Sequence, residues 1–464
     1  MVASFELLPH WEAARSQDAV SSFPPNARWA WERHHTRSVS CLTDRRVAFT
    51  LDEPICYTKN HAYYKGAVHL RATDNFFETK REWSRLKDRI LGTYLRPYLT
   101  KITTKRQPVL IVDCFAGKGR FDDGEPGSPL LICEAITAVM DIRPRADVQG
   151  LFIEKKYHAE LRENLRGFDR SEVLPGTYEQ HIAEIEHRAT AKTNLLMFVD
   201  PYGIKSLDMS RFQRLAELGL GSIELVINMT AFGFLREGCR LLSIEGFDCE
   251  EDSDVYEDDP DSPNNVRRMN AIAAGSYWMD VLRDYHDGDI DMRAAEREFV
   301  NRYLANLRRI FSYVVDIPVQ YRRGHLPKYR LIYGTKNADG FILMADSMSR
   351  VWRDFARRDR GGQEVLFEEI DYPDMVTLEG YSLEDDVSEM ANEGIGLKDL
   401  LVRLVGKYGI TFPEGELKRR IKAMEHEGKL TIHRDPAVTP RTERRSTSMN
   451  YRNHSIWVER KISA

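Results

Sequence analysis

The sequence has few cysteines and no long apolar run. Only six of its 464 residues are cysteines, and no two form a C-x-x-C pair, which argues against a structural zinc site. No stretch approaches about 18 uninterrupted apolar residues, the length of a membrane helix, and the N-terminus has no basic-then-apolar leader pattern. We therefore expect a cytoplasmic protein without a membrane segment.

Several catalytic signatures are also missing. The chain contains no G-x-x-x-x-G-K-[ST] and no G-x-S-x-G, which argues against a P-loop nucleotidase and against an elbow-type serine hydrolase. The acidic run over residues 245–261 lacks the ligand spacing of a calcium-binding loop, so we interpret it as an exposed insert. No metal site is predicted.

The length and charge pattern predict several segments. A chain of 464 residues exceeds the roughly 250–300 of a single core, and its 42% apolar content is typical of a globular protein. The formal net charge of -5 excludes a uniformly basic nucleic-acid binder. We divide the chain into an extension (1–70), a main domain (71–356) with an acidic insert near 244–265, a linker (357–384) and a small C-terminal domain (385–464).

The main domain alternates strand and helix patterns. Short apolar runs that end in turn or acidic residues predict buried parallel strands, and helical patterns separate them, so we predict an α/β sheet with helices on both faces. Ser128 is predicted to cap the helix that starts with Pro129. A turn over 337–340 is predicted to join two final strands. The predicted strands are Val109–Asp113, Val148–Glu154, Asn194–Asp200, Ser222–Asn228, Tyr329–Gly334 and Phe341–Leu343.

The C-terminal segment has the pattern of a winged-helix-like domain. Two helices are predicted at Leu397–Tyr408 and Gly415–Glu427, with Gly428 as a cap and a strand at Lys429–His433. Basic residues between Arg434 and Arg452, interleaved with Tyr451, favour contact with phosphates, although such a domain can equally bind protein.

A glycine-rich loop follows the first strand. In Asp113-Cys-Phe-Ala-Gly117-Lys-Gly119, glycine allows positive φ and close approach of the backbone to a ligand. Glu154 ends the second strand, where an acid can accept hydrogen bonds from ribose hydroxyls. It lies 35 residues after Gly119, and this long spacing is explained if residues 120–127 form a loop. Alternatively Glu154 is only an exposed strand end. The predicted cofactor-binding residues are Asp113, Phe115, Ala116, Gly117, Gly119 and Glu154.

A second motif, Asp200-Pro201-Tyr202, follows the third strand. It would place an acceptor and an aromatic ring at the ligand-binding edge of the sheet, where they could orient an amine for methyl transfer. Alternatively, Asp200 caps the next helix and Tyr202 packs on the loop. Glycine loop, acid and Asp-Pro-Tyr occur in this order in many methyltransferases, whereas a nicotinamide enzyme would have a third glycine where Asp122 stands.

At these residues the chain resembles the three-Cys-motif partner family (TcmP). The resemblance spans about Thr79 to Ala345, and the family has Lys-His where this chain has Lys87-Asp88. It implies a Rossmann-like, S-adenosylmethionine-dependent methyltransferase-type fold and a partner, a radical-SAM-like protein with a three-cysteine motif. It rests on Trp83-Ser-Arg-Leu-Lys87, Ile90-Leu91, Tyr94-Leu95, Asp113–Arg120, Gly127–Pro129, Phe152–Glu154, Asp200–Gly203, Tyr329–Tyr333 and Gly340.

Three functions are compatible with these patterns. The first is an S-adenosylmethionine-dependent methyltransferase acting on an amino group of nucleic acid or of a modified base, with Asp200, Pro201 and Tyr202 as catalytic residues. The second is a non-catalytic adaptor for a radical-SAM-like enzyme. The third is a metal-dependent nuclease in which Asp113, Glu154 and Asp200 bind Mg²⁺.

Overall fold

The computed structural model describes residues 80–201, 203–204, 206–244, 266–319, 326–359, 382–439 and 443–461, except for the side chains of residues 82 and 357–359. The predicted N-terminal extension, nearly all of the acidic insert, most of the linker and Tyr202 lie outside these residues. Within the described ranges, none of the helices combines the length and apolar character that a membrane crossing requires.

The main sheet pairs seven strands. They are β1 (Val109–Asp113), β2 (Val148–Glu154), β3 (Ser171–Pro175), β4 (Asn194–Val199), β5 (Ser222–Met229), β6 (Tyr313–Val319) and β7 (Tyr329–Thr335). Their order is β3-β2-β1-β4-β5-β7-β6; the first five are parallel, and β7 runs antiparallel to both β5 and β6. Strand β4, apolar except for Asn194, lies at the centre and is buried along its whole length, as expected where helices cover both faces.

Ten helices of the described residues cover the two faces of the sheet. One face packs against α1, α2, α3 and α10, and the other packs against α4 to α9. The strand order and the two helical layers make this a Rossmann-like sheet of the methyltransferase type, which confirms the predicted fold class. The helices are α1 (Glu82–Ile102), α2 (Ser128–Ile142), α3 (His158–Asn164), α4 (Tyr178–Arg188), α5 (Met209–Glu217), α6 (Ala231–Leu242), α7 (Val266–Ala273), α8 (Tyr277–His286), α9 (Met292–Leu307) and α10 (Ala338–Asp359).

One predicted strand is wrong. Residues 341–343 lie in α10, not in the sheet, and the predicted turn over 337–340 is the start of this helix. The side-chain oxygen of Asn337 accepts the backbone N–H groups of Asp339 at 3.0 Å and Gly340 at 3.2 Å. These are the bonds of a helix N-cap, and they redirect the chain after β7 into a helix.

The C-terminal segment contains three helices and a small sheet. These are α11 (Leu383–Met390), β8 (Ile395–Gly396), α12 (Leu397–Tyr408), α13 (Glu414–His426), β9 (Leu430–Asp435) and β10 (Ser455–Arg460). The three strands pair antiparallel in the order β8-β10-β9. The two predicted helices and the predicted strand are therefore confirmed, while the winged-helix interpretation stays a prediction.

This C-terminal module packs directly on the main sheet's helices. Its apolar residues belong to the same hydrophobic cluster as α1, α2 and α10. Arg353 of α10 pairs with Glu416 at 2.9 Å, and Asp346 accepts the backbone N–H of Glu414 at 2.9 Å. Apolar contacts therefore join the module to α10, and the two share one hydrophobic core.

Gly340 gives a test of how tightly the base of α10 is packed. A Cβ there would lie 2.7 Å from the Tyr333 hydroxyl and 2.8 Å from the Glu224 carboxylate, both of which are buried. We expect Gly340→Ala to lower the free energy of unfolding by about 1–3 kcal/mol in urea denaturation. The matched control is Gly92→Ala in α1, where nothing lies within 4 Å; it should raise stability by about 0.5–1 kcal/mol.

Candidate active site

Polar residues from four neighbouring strands meet at one edge of the sheet. In the paired register, Asp113 at the end of β1 stands beside Phe152 of β2 and Phe198 of β4. Glu154 therefore ends β2 at this edge, and Asp200 follows β4 directly. Asn228, near the end of β5, lies close enough to Asp200 to donate a hydrogen bond of 2.7 Å. This carboxyl edge is where open α/β sheets bind ligands.

The glycine-rich loop is bonded to the end of β2. Gly117 has φ +62°, and its N–H donates to the Glu154 carboxylate at 2.9 Å. Gly119 has φ +79°, and a Cβ there would lie 2.9 Å from the buried Leu161 side chain of α3. Both positions thus favour glycine, Gly119 through packing against Leu161. The loop ends where α2 begins at Ser128, which confirms the predicted longer loop over 120–127.

The Glu154 carboxylate is largely occupied by this loop and by the chain after β2. One oxygen accepts the N–H groups of Lys156 at 2.8 Å and Tyr157 at 3.0 Å, and the other accepts that of Gly117. A carboxylate offers about four lone-pair positions, so about one position remains for a further donor. Glu154 can thus accept one more hydroxyl without losing a loop contact.

Asp113 is fully buried beneath the loop. Burial raises the pKa of its carboxyl group to about 7; the nearby Asp200 adds to this rise, while hydrogen bonds from Ser128 and Phe115 oppose it. The Ser128 hydroxyl donates to Asp113 at 2.7 Å, and the N-cap position of α2 is Gly127. The predicted capping role of Ser128 is therefore wrong, because its hydroxyl joins α2 to β1 instead.

The other residues of the loop differ in exposure. Ala116 is buried, whereas Phe115 is half-buried with its ring 6.1 Å from that of Tyr178. Cys114 is buried, and burial raises the pKa of its thiol well above the ordinary value. A protonated, buried thiol is a poor nucleophile, so Cys114 is a packing residue.

Lys87 of α1 reaches the Asp200 carboxylate. Its ammonium group bonds one Asp200 oxygen, while Asn228 donates to the other at 2.7 Å. Burial acts to lower the pKa of Lys87, but the carboxylates of Asp200, Asp88 and Asp113 outweigh it and raise the net pKa above the ordinary value. Lys87 was absent from the predicted site; the Trp83–Lys87 motif was the only sequence signal for it.

The Asn228 side chain has a hydrogen-bond acceptor that no described residue uses. It is only 4% exposed, and its side-chain oxygen has no partner among the described residues. A buried acceptor without a donor is costly, so this oxygen marks a place that a ligand N–H or O–H can fill. Pro201, the residue after Asp200, is buried, and Tyr202 lies outside the described residues.

The described residues contain no group of three or more His, Cys, Asp or Glu side chains positioned to hold a metal ion. The predicted nuclease set of Asp113, Glu154 and Asp200 is not such a group. Glu154 bonds backbone N–H groups, and Lys87 supplies the positive charge next to Asp200.

No known family model matches the chain, and no curated protein matches it. Among solved structures, a conserved hypothetical protein from Streptococcus pyogenes is 19% identical, with 29% of this chain and 76% of that chain covered at a TM-score of 0.20. Spermidine synthase from Thermotoga maritima is 9% identical, with 61% and 75% covered at a TM-score of 0.28. The CurJ carbon methyltransferase is 11% identical, with 53% and 54% covered at 0.27. The fold assignment therefore rests on the strand order above.

Proposed function

We propose that the protein is an S-adenosylmethionine-dependent methyltransferase that acts on an amino group of nucleic acid or of a modified base. One observation carries the proposal. The glycine loop, the acid that ends β2 and Asp200 meet at a single edge of a methyltransferase-type sheet, with Gly117 bonded to Glu154 at 2.9 Å. Each element alone is common, whereas the three together at one edge would bind a cofactor and an acceptor side by side.

The residues of the loop fit S-adenosylmethionine. Gly117 places no side chain on the loop, Gly119 lets the loop pack against Leu161, and the half-buried Phe115 offers a ring to a flat group. Ala116 and Asp113 hold the loop's shape from beneath. Glu154 has about one lone-pair position left, which suits one ribose hydroxyl. When bound, S-adenosylmethionine supplies a methyl group on a positively charged sulfur.

Asp200, Pro201 and Tyr202 would position the acceptor amine. An oxygen of the Asp200 carboxylate can accept an N–H of the amine, and the Asn228 side-chain oxygen can accept another. Two fixed acceptors hold the nitrogen in one orientation, so most of the rate gain would come from positioning. As the carboxylate that would bond the amine, Asp200 would also accept the proton that the amine loses.

The C-terminal module is the proposed contact with nucleic acid. Arg419 and Arg420 on α13 are exposed, as are Arg444, Arg445 and Arg452. Exposed guanidinium groups bind phosphates through paired hydrogen bonds. Arg434 does not belong to this surface, because it is buried and bonds Glu425 at 2.7 and 2.8 Å. A three-cysteine radical-SAM-like partner is proposed from the family resemblance alone.

One observation favours the adaptor hypothesis as a second candidate. The carboxylates of Glu154 and Asp200 are bonded mainly to donors from this same chain. These internal bonds stabilise the edge without a ligand, as a domain retained for its shape would require. The two hypotheses differ in whether the chain binds the cofactor on its own.

Binding of S-adenosylmethionine, measured by isothermal titration calorimetry, tests the proposal. We expect micromolar binding to the wild type and at least tenfold weaker binding to Glu154→Ala, which loses an acceptor and the bond to Gly117. The control is Glu163→Ala on α3, whose carboxylate is 70% exposed and should leave binding unchanged. A folded wild type that does not bind would contradict the proposal and favour the adaptor.

A further inference from the structure

The Asp200 carboxylate is already paired with a cation. The Lys87 ammonium contacts one oxygen, and the two side chains are 14% and 21% exposed. Asn228 donates to the other oxygen at 2.7 Å. An acceptor arriving at Asp200 therefore meets a compensated ion pair and not a free negative charge.

The two other carboxylates near Lys87 have partners of their own. Asp88, next to Lys87 in α1, pairs with the ammonium group of Lys80 at 2.7 Å, and both side chains are buried. Asp113 accepts hydrogen bonds from Ser128 and from the backbone of Phe115. Of these three carboxylates, Asp200 and Asp88 are thus paired with lysines, and Asp113 is held by hydrogen bonds. A second ammonium group would be repelled by Lys87 in a site with little water to screen it.

The site contains a hydrogen-bond acceptor that an uncharged N–H donor can satisfy. The buried Asn228 side-chain oxygen has no partner among the described residues, and it can accept any N–H without requiring a charge. The exocyclic amino group of a nucleobase is uncharged at neutral pH and offers two N–H bonds. An aliphatic amine is protonated at neutral pH, as the ordinary pKa of lysine shows.

We propose that Lys87 determines acceptor specificity: by occupying Asp200 it excludes protonated aliphatic amines and restricts the site to neutral N–H donors such as nucleobase amino groups. This inference rests on the proposed function, since it names the acceptor class of the same site. Lys87 acts through Asp200 and is a specificity residue, not a catalytic one.

The test measures binding of butylamine, a monocation, by isothermal titration calorimetry. A polycation is avoided because it would also bind the acidic run over 245–261. Wild type and Lys87→Arg, which keeps the cation, should bind butylamine equally weakly. Lys87→Met removes the ammonium group that pairs with Asp200, and this variant should bind butylamine at least tenfold more tightly than the wild type. Lys87→Met/Asp200→Asn should return to the wild-type value.

The proposal is overturned if Lys87→Met binds butylamine no better than the wild type, or if the double variant binds as tightly as Lys87→Met. Thermal unfolding establishes that each variant folds, and Lys87→Gln replaces Lys87→Met if the latter does not. S-adenosylmethionine binding is measured on the same samples. A wild type that does not bind S-adenosylmethionine would refute the proposed methyltransferase. The butylamine result is separate, because it depends only on Lys87 and Asp200.

Discussion

Replacing Arg330 with methionine is expected to lower the free energy of unfolding by about 3–5 kcal/mol. The Arg330 guanidinium holds Glu296 of α9 through two bonds of 2.9 and 2.7 Å, and it reaches Asp316 of β6 at 3.1 Å. The Arg330 and Glu296 side chains are 7% and 1% exposed. Removal of the guanidinium takes away the two bonds that hold the buried Glu296 carboxylate, and a charge in that position has almost no access to solvent.

Urea denaturation of two further variants separates this effect from a general sensitivity to losing arginine. Arg283→Met removes an exposed pair with Asp280 on α8 and should change stability by less than about 1 kcal/mol. Arg330→Met/Glu296→Met removes both buried partners and should recover much of the loss, because no carboxylate then stays buried at position 296. A double variant as unstable as the single one would show that packing, and not charge, sets the cost.

Glu224→Gln is expected to change how stability depends on pH. Burial raises the pKa of Glu224 to about 7, while hydrogen bonds from Tyr94 and Tyr333 and the charges of Lys105 and Lys101 oppose the rise. The folded state thus favours the protonated carboxyl. Its contribution is fully present below the unfolded pKa, near 4.3 in model peptides, and is lost as the pH rises through about 7.

Between about pH 4 and pH 8 the wild type should therefore lose about 3 kcal/mol that the glutamine variant keeps. Glutamine is uncharged throughout, and its amide can bond the two tyrosine hydroxyls, which are 2.9 Å apart. Urea denaturation over this pH range measures the difference between the two proteins. The exposed Glu217→Gln serves as control and should follow the wild type. Parallel curves for Glu224→Gln and the wild type would mean that Glu224 is ionised in the folded protein at no cost.

The sequence was sufficient for the centre of the sheet. Strand β1 is an apolar run that ends in Asp113, and β4 is an apolar run between Asn194 and Asp200. Such runs in an alternating α/β pattern are typical of a buried parallel sheet. The start of α2 at Ser128 was equally readable from Ser-Pro and from the spacing to Glu154. Local signals sufficed because the two strands are buried on both faces and the helix start has its own sequence signal.

The edges of the sheet were not predicted. Strands β3 and β6 lie at its two ends, and each contains a proline: Pro175 ends β3 and Pro318 lies within β6. Edge strands have mixed burial and tolerate proline, so their pattern resembles that of a loop. The start of α10 was mistaken for a hairpin turn because asparagine and glycine serve both helix caps and turns.

Order along the chain was enough to indicate which strand ends carry acids and glycines, because parallel strands of such a sheet all finish at the same edge. It could not indicate which cation would meet Asp200. Lys87 lies 113 residues away on a helix outside the repeating strand–helix units, and Asn228 comes from a third segment. That meeting, like the pairing of Glu296 with Arg330, depends on how distant segments pack, and the charge at the candidate site follows from the packing alone.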